Sequence, residues 1–130
     1  METSQKKLVI AIVDDHEPIR EALESLLKST GYAAKTFPSA EDYLQAHQDD
    51  EADCLILDVN LPGMSGLELQ QALAAGNHGA IPIVFITSHD DSGGHMRAHA
   101  LRSGAVAFLS KPFDDDALLD AVRDACERSK

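Results

Sequence analysis

The chain alternates short apolar runs with longer stretches in which apolar residues recur every three or four positions. The first run, Leu8-Val9-Ile10-Ala11-Ile12-Val13, is unbroken by polar residues and closes abruptly at Asp14-Asp15. Its β-branched content and continuity predict a strand buried on both faces. From Glu17-Pro18 the period changes: Ile19, Ala22, Leu23, Leu26 and Leu27 fall at i, i+3, i+4, i+7 and i+8, one face of a helix with Pro18 in its first turn and Gly31 as its stop. Residues 32–37 predict a second, more polar strand. Ser39-Ala40-Glu41-Asp42 then reads as a helix start with Ser39 as N-cap, leading into a short helix that carries Tyr43, Leu44 and Ala46.

The alternation continues through the second half. Residues 54–57 predict a third strand ending at Asp58, and after Pro62-Gly63-Met64-Ser65-Gly66 a helix takes Leu67, Leu69 and Leu73 until Gly76. Residues 81–86 predict a fourth strand, with Pro82 near its entry where a missing N–H does least harm, and it closes at Thr87-Ser88. The polar, glycine-rich segment His89-Asp90-Asp91-Ser92-Gly93-Gly94 precedes a helix through Met96, Ala100 and Leu101 that stops at Gly104. Residues 106–109 predict a fifth strand, broken at Lys111-Pro112. Asp114-Asp115-Asp116 opens the last helix with acids where the helix dipole favours them, and Leu118, Leu119, Val122, Ala125 and Cys126 form its buried stripe.

Five strands alternating with five helices predict an α/β fold, a doubly wound parallel sheet with right-handed crossovers and helices on both faces. Of the two common doubly wound orders, the flavodoxin-like 2-1-3-4-5 suits five strands and places the switch point between the first and third. That order brings Asp14 and Asp15 beside Asp58.

Composition narrows the picture. At 130 residues with 44% hydrophobic content, a single domain with its core over about residues 8–128 is expected, with no output domain in the chain. Asp plus Glu number 22 against 11 for Lys plus Arg, a net charge of -11, which argues against direct binding to nucleic acid or to anionic membranes. Cys54 and Cys126 lack paired spacing and are expected as buried thiols of a reducing compartment. The polar N-terminus and the absence of an 18-residue apolar stretch lead to the expectation of a cytoplasmic protein.

Four of the five strands close in a chemically useful residue: Asp14 and Asp15, Asp58, Thr87 and Lys111. Singly, each acid or hydroxyl fits a turn cap. Converging carboxylates, however, force protonation of at least one unless a cation joins them, and carboxylate and carbonyl oxygens are the ligand set of Mg²⁺. Lys111 and Thr87 supply the charge and the hydroxyl that a transferring phosphoryl group needs, with Asp58 as the in-line nucleophile. Lys111 stands directly before Pro112, which holds it extended and makes that peptide bond a cis candidate. His95 and His99, four apart, read as a solvated helix face, and the acids 114–116 as dipole-matching.

In order and spacing, Val13-Asp14-Asp15, Leu57-Asp58-Val59-Asn60-Leu61-Pro62-Gly63-Met64-Ser65-Gly66, Ile86-Thr87-Ser88, Gly104-Ala105 and Lys111-Pro112-Phe113 resemble the receiver domain of bacterial two-component response regulators. The resemblance covers about residues 8–128. It implies that Asp14 and Asp15 hold Mg²⁺, with Asp15, Asp58 and the Asn60 backbone carbonyl as direct ligands and Mn²⁺ as a substitute. It implies that Asp58 takes a phosphoryl group from a sensor histidine kinase or a histidine phosphotransfer protein, while Thr87 and Lys111 bind its oxygens. Phe108 matches the family's switch aromatic, although on its own pattern it is a core aromatic. Asn60 and His89 flank the phosphoryl group and are expected to tune its lifetime. The moving surface is the fourth helix, fifth strand and fifth helix, roughly residues 94–128, which is also the expected homodimer face.

Two alternatives stand beside this reading. A haloacid-dehalogenase-like phosphatase uses similar groups, but places its nucleophile strand first and a second Asp where this chain has Asn60. A degenerate receiver would dock partners without phosphorylation. Catalysis of its own phosphorylation and dephosphorylation, without turnover of an external substrate, is the expectation. Phe37-Pro38-Ser39-Ala40-Glu41 and Lys111-Pro112-Phe113 also resemble receivers followed by a helix-turn-helix domain.

Overall fold

The structure, a computed structural model, describes residues 7–46, 52–75, 81–87, 95–111 and 113–128. Its elements run β1 (Val9–Val13), α1 (Glu17–Ser29), β2 (Ala33–Phe37), α2 (Ala40–Ala46), β3 (Cys54–Asp58), α3 (Gly66–Ala75), β4 (Ile83–Thr87), α4 (His95–Arg102), β5 (Ala107–Ser110) and α5 (Asp115–Arg128). The strands form one parallel sheet in the order β2-β1-β3-β4-β5, as the alternation predicts.

The interior strands carry their apolar runs because both faces are covered. Along β1, β3 and β4 one set of side chains, Ala11, Val13, Leu55, Leu57 and Phe85, packs with Tyr43 of α2, Leu69 and Leu73 of α3 and Ala100 of α4. The alternate set, Ile10, Ile12, Cys54, Ile56, Val84 and Ile86, packs with Leu23 and Leu27 of α1 and Leu118, Val122, Ala125 and Cys126 of α5. The period of two therefore assigns α1 and α5 to one face and α2, α3 and α4 to the other. Cys54 and Cys126 are buried thiols in the second cluster.

Local signals account for the boundaries. The Asp42 N–H donates to Ser39 Oγ at 3.0 Å, confirming the expected N-cap of α2. Gly31 closes α1 with φ 99°, a conformation open to glycine. β4 begins at Ile83 rather than 81; Pro82 has no N–H for the ladder, though its carbonyl still accepts from the Leu55 N–H at 2.9 Å. Leu101, expected among the apolar positions of the fourth helix, is 40% exposed, because α4 meets the core through Ala100 instead. Among the described residues no helix is long and apolar enough to cross a membrane. Gly76, Ser88, His89, Gly93, Gly94 and Pro112, and with Pro112 the expected cis candidate, lie outside the described residues.

Candidate functional site

Register levels the carboxyl ends of the strands. Val13 pairs with Leu57, Asp58 with Ile86 and Thr87 with Ser110, so the residues that close these strands emerge at one edge. Asp14, Asp58 and Thr87 are all buried there. Lys111 is tied to the same edge by its N–H, which donates to the Thr87 carbonyl at 2.7 Å.

The side chains converge on one ammonium group. Lys111 Nζ donates to Asp14 Oδ2 at 2.9 Å and to Asp58 Oδ2 at 3.3 Å. Each carboxylate turns its other oxygen to its own turn: Asp14 Oδ1 accepts from the His16 N–H at 2.9 Å and Asp58 Oδ1 from the Asn60 N–H at 2.9 Å. Asx-type turns of this kind fix the carboxylates without using their remaining lone pairs. Asp15 is exposed, yet oxygens of Asp14, Asp15 and Asp58 lie within 4.8 Å of one another. The sequence-predicted set of Asp14, Asp15, Asp58 and Lys111 is thus brought together. Thr87 joins it through Asn60, whose Nδ2 donates to Thr87 Oγ1 at 2.9 Å.

Charge in this pocket is not balanced. Burial pushes the Asp58 carboxyl above the ordinary carboxylate range; the Asn60 N–H opposes the shift, the Asp14 charge adds to it and Lys111 opposes it. Burial would lower the Lys111 ammonium, but hydrogen bonding to Asp14 and the Asp58 and Asp14 charges outweigh it, so its pKa lies above the usual lysine value. The two directions agree physically: one cation serves two buried carboxylates, and Asp14 has the closer contact. The unmatched negative charge and the all-oxygen donor set fit a hard divalent cation. Among the described residues this is the one cluster of three such groups, and His95 and His99 are not part of it.

The loop after β3 is built around close approaches. A Cβ on Gly66 would overlap the Asp58 carbonyl oxygen and come within 3.0 Å of Val59 Cα. Gly63 has φ 74°, and Glu41 fills the space beside it while its Oε2 accepts from the Met64 N–H at 3.0 Å. That contact holds the Glu41 carboxyl below its usual range. At the start of α3, the Ser65 N–H donates to Glu68 Oε1 at 2.9 Å and the Glu68 N–H to Ser65 Oγ at 3.1 Å, a capping box. Ser-x-x-Glu before an apolar run was signal enough to find it.

Sequence reasoning also missed Arg20, whose Nη1 donates to the Asp14 carbonyl at 2.7 Å, and Arg97, whose Nη2 donates to the Phe108 carbonyl at 2.9 Å. Neither has a local sequence signal, since both grip backbone atoms. Phe108 itself is buried, its ring centroid 6.1 Å from that of Phe85. Beside Lys111 a cleft of about 200 Å³ opens, lined by Ile19, Leu23 and Leu26 of α1 together with Phe113 and Asp115.

A family model, the response regulator receiver domain, matches residues 10–123. The chain belongs to this family. Nodulation protein W of Bradyrhizobium diazoefficiens is 46% identical over 125 residues, which are 95% of this chain and 53% of that protein. The transcriptional regulatory protein FixJ of Azorhizobium caulinodans is 39% identical over 125 residues, 95% of this chain and 57% of that protein. The solved structure of the response regulator StyR superposes with a TM-score of 0.86 at 42% identity, covering 95% of this chain and 61% of that one. The chain spans about half the length of these curated relatives. As a receiver domain of two-component systems it belongs with proteins that accept phosphoryl groups, bind Mg²⁺ in the acidic pocket and interact with sensor kinases. Neither the phosphatase nor the docking-only alternative is favoured.

Proposed function

We propose that Asp58 is the phosphoryl acceptor of this receiver and that the donor is a phosphohistidine on a sensor histidine kinase or histidine phosphotransfer protein. The observation that carries the reading is the single Lys111 ammonium shared by Asp14 and Asp58, at 2.9 and 3.3 Å, on a level strand edge. An Asp58 oxygen attacks phosphorus in line; the O–P bond forms as the P–N bond to the donor imidazole breaks, and the leaving nitrogen keeps the bonding pair and takes up a proton. Lys111 Nζ moves from carboxylate oxygen to phosphoryl oxygen, and the Thr87 hydroxyl, oriented by Asn60, donates to a second. Asp14, Asp15, Asp58 and the Asn60 backbone carbonyl are the groups that would hold Mg²⁺ or Mn²⁺, which when bound offsets charge on the phosphoryl oxygens.

The cleft beside Lys111 gives the donor a route: its apolar α1 wall suits a helix carrying the phosphohistidine. Phosphorylation adds about -1.5 to -2 charges at the strand edge. Thr87 then follows the phosphoryl group, and the Phe108 ring, already buried, is held against the space it leaves, which biases the face of α4, β5 and α5. A homodimer through that face belongs to the same reading. Asn60 and His89 set the lifetime of the aspartyl phosphate. The chain acts as one receiver unit in the cytoplasm, and control of transcription by the whole protein is supported by the name of the FixJ relative.

Incubation with acetyl phosphate and Mg²⁺ should add one phosphoryl group by intact mass, and Asp58→Asn should abolish it. An adduct that persists in Asp58→Asn, or none on the wild-type chain, overturns the reading.

A further inference from the structure

We infer that Arg97 is a positioning residue that holds the Phe108 ring inward and thereby sets how readily Asp58 is phosphorylated. The inference rests on the roles proposed above for Thr87 and Phe108. Arg97 is an exposed residue of α4, one turn before the buried Ala100, where a bystander would extend into water. Instead its guanidinium reaches β5 and makes two different contacts with one residue. Nη2 donates to the Phe108 carbonyl at 2.9 Å, and Cζ lies 5.7 Å from the centroid of the Phe108 ring. A planar guanidinium can do both, because its N–H groups lie in its plane while its charge acts on an aromatic face.

The ring it covers is buried and packs against Phe85, its register partner on β4. Phe85 is two residues from Thr87 on the same strand, and in turn pairs with Leu57, which precedes Asp58. Arg97 therefore acts at the outer end of a short packed path whose inner end is the acceptor. The helix that carries it is fastened at its C-terminal end. Gln70 of α3, 5% exposed, donates Nε2 to the carbonyls of Ala100 and Ser103 at 3.3 and 3.4 Å, fastening the end of α4 to α3. With that end held, an outward swing of the Phe108 ring must first displace the guanidinium. Arg97 thus favours the inward ring before phosphorylation, and the Thr87 hydroxyl finds its phosphorylated position unobstructed.

The test uses the full chain with acetyl phosphate and Mg²⁺, and separately the same proteins with Phe108 replaced by 4-fluorophenylalanine. Arg97→Ala should slow phosphorylation by roughly tenfold, the factor for losing one hydrogen bond made by a charged group. Its half-saturating Mg²⁺ concentration should not move. Arg97→Lys keeps the charge over the ring without the fork and should fall between wild type and Arg97→Ala. The fluorine resonance should shift toward its solvent-exposed value in the same order. A wild-type rate and an unshifted resonance in Arg97→Ala overturn the inference. So does an equal loss in both variants accompanied by altered Mg²⁺ dependence, which marks general loosening of the fold. Should the wild-type chain take no phosphoryl group, the proposed function fails, and the fluorine shift alone still decides whether Arg97 positions the ring.

Discussion

Asp58 is held at a cost that its chemistry requires. It is 4% exposed, shares its cation with Asp14, and its pKa is raised chiefly by burial. Folding therefore favours its protonated form. Its contribution to stability is present below the unfolded carboxylate pKa of about 3.9 and is lost as pH rises through the higher folded value. At pH 7 the charged carboxylate is a liability. Asp58→Asn in chelator should then stabilise the protein by about 1 kcal/mol, the low end of what replacing a buried charge yields, or roughly 4 °C in Tm. The gain should shrink as pH falls from 7 through the raised folded value toward the unfolded one. Thermal melts of both proteins across that range check it, and a destabilised Asn variant at pH 7 would mean that Lys111 more than compensates the burial. The residues that close the strands were readable in the sequence because each interrupts an apolar run. Glu41, Arg20 and Arg97 were not, because their partners are backbone groups of Met64, Asp14 and Phe108, and a carbonyl or N–H carries no sequence signature.

At the scale of elements, α3 begins where β3 ends with almost no space between them. The Gly66 N–H donates to the Val59 carbonyl at 3.0 Å, and any side chain at this position would strike the Asp58 carbonyl. Gly66→Ala should cost about 3 kcal/mol, the upper part of the usual range for overpacking. It should also slow phosphorylation, since the backbone that must yield is the one carrying Asp58. Denaturant unfolding and the acetyl phosphate reaction measure the two effects; loss of stability with an unchanged rate would separate this packing from the acceptor. The strands were legible for a related reason. β1, β3 and β4 are covered on both faces and so read as continuous apolar runs. α4 was read less accurately: it buries Ala100 but leaves Leu101 exposed, and a short helix fastened by Gln70 and Arg97 has little apolar periodicity to read. Strand order could not come from periodicity at all. It came from the preference of doubly wound sheets, and the structure agrees because the strand-end residues have to meet.

For the whole molecule, the contact between Lys111 and Asp14 joins residues 97 apart in the chain, one after the last strand and one after the first. It ties β5 to β1 across β3 and β4, and among the described residues it does so with the one ammonium in direct contact with these two carboxylates. In a chain of net charge -11, taking that ammonium away leaves buried acids facing one another. Lys111→Met in chelator should lose about 3 kcal/mol, the scale for breaking a buried ion pair from one side. A cation bound only by the folded state restores stability by mass action, about 2.7 kcal/mol at a hundred times its dissociation constant. If Lys111 and Mg²⁺ neutralise the same carboxylates, the two effects cannot be independent. Mg²⁺ should then raise the Tm of Lys111→Met more than that of wild type, by several degrees, while equal ionic strength supplied as potassium chloride should leave the gap open. Phosphorylation of the variant should stay slow at saturating Mg²⁺, because a cation restores the charge but not the donor aimed at the phosphoryl oxygen. Equal Mg²⁺ increments in both proteins would mean that the ammonium and the metal act on separate parts of the edge, and that the acidic cluster is not the shared site its geometry implies.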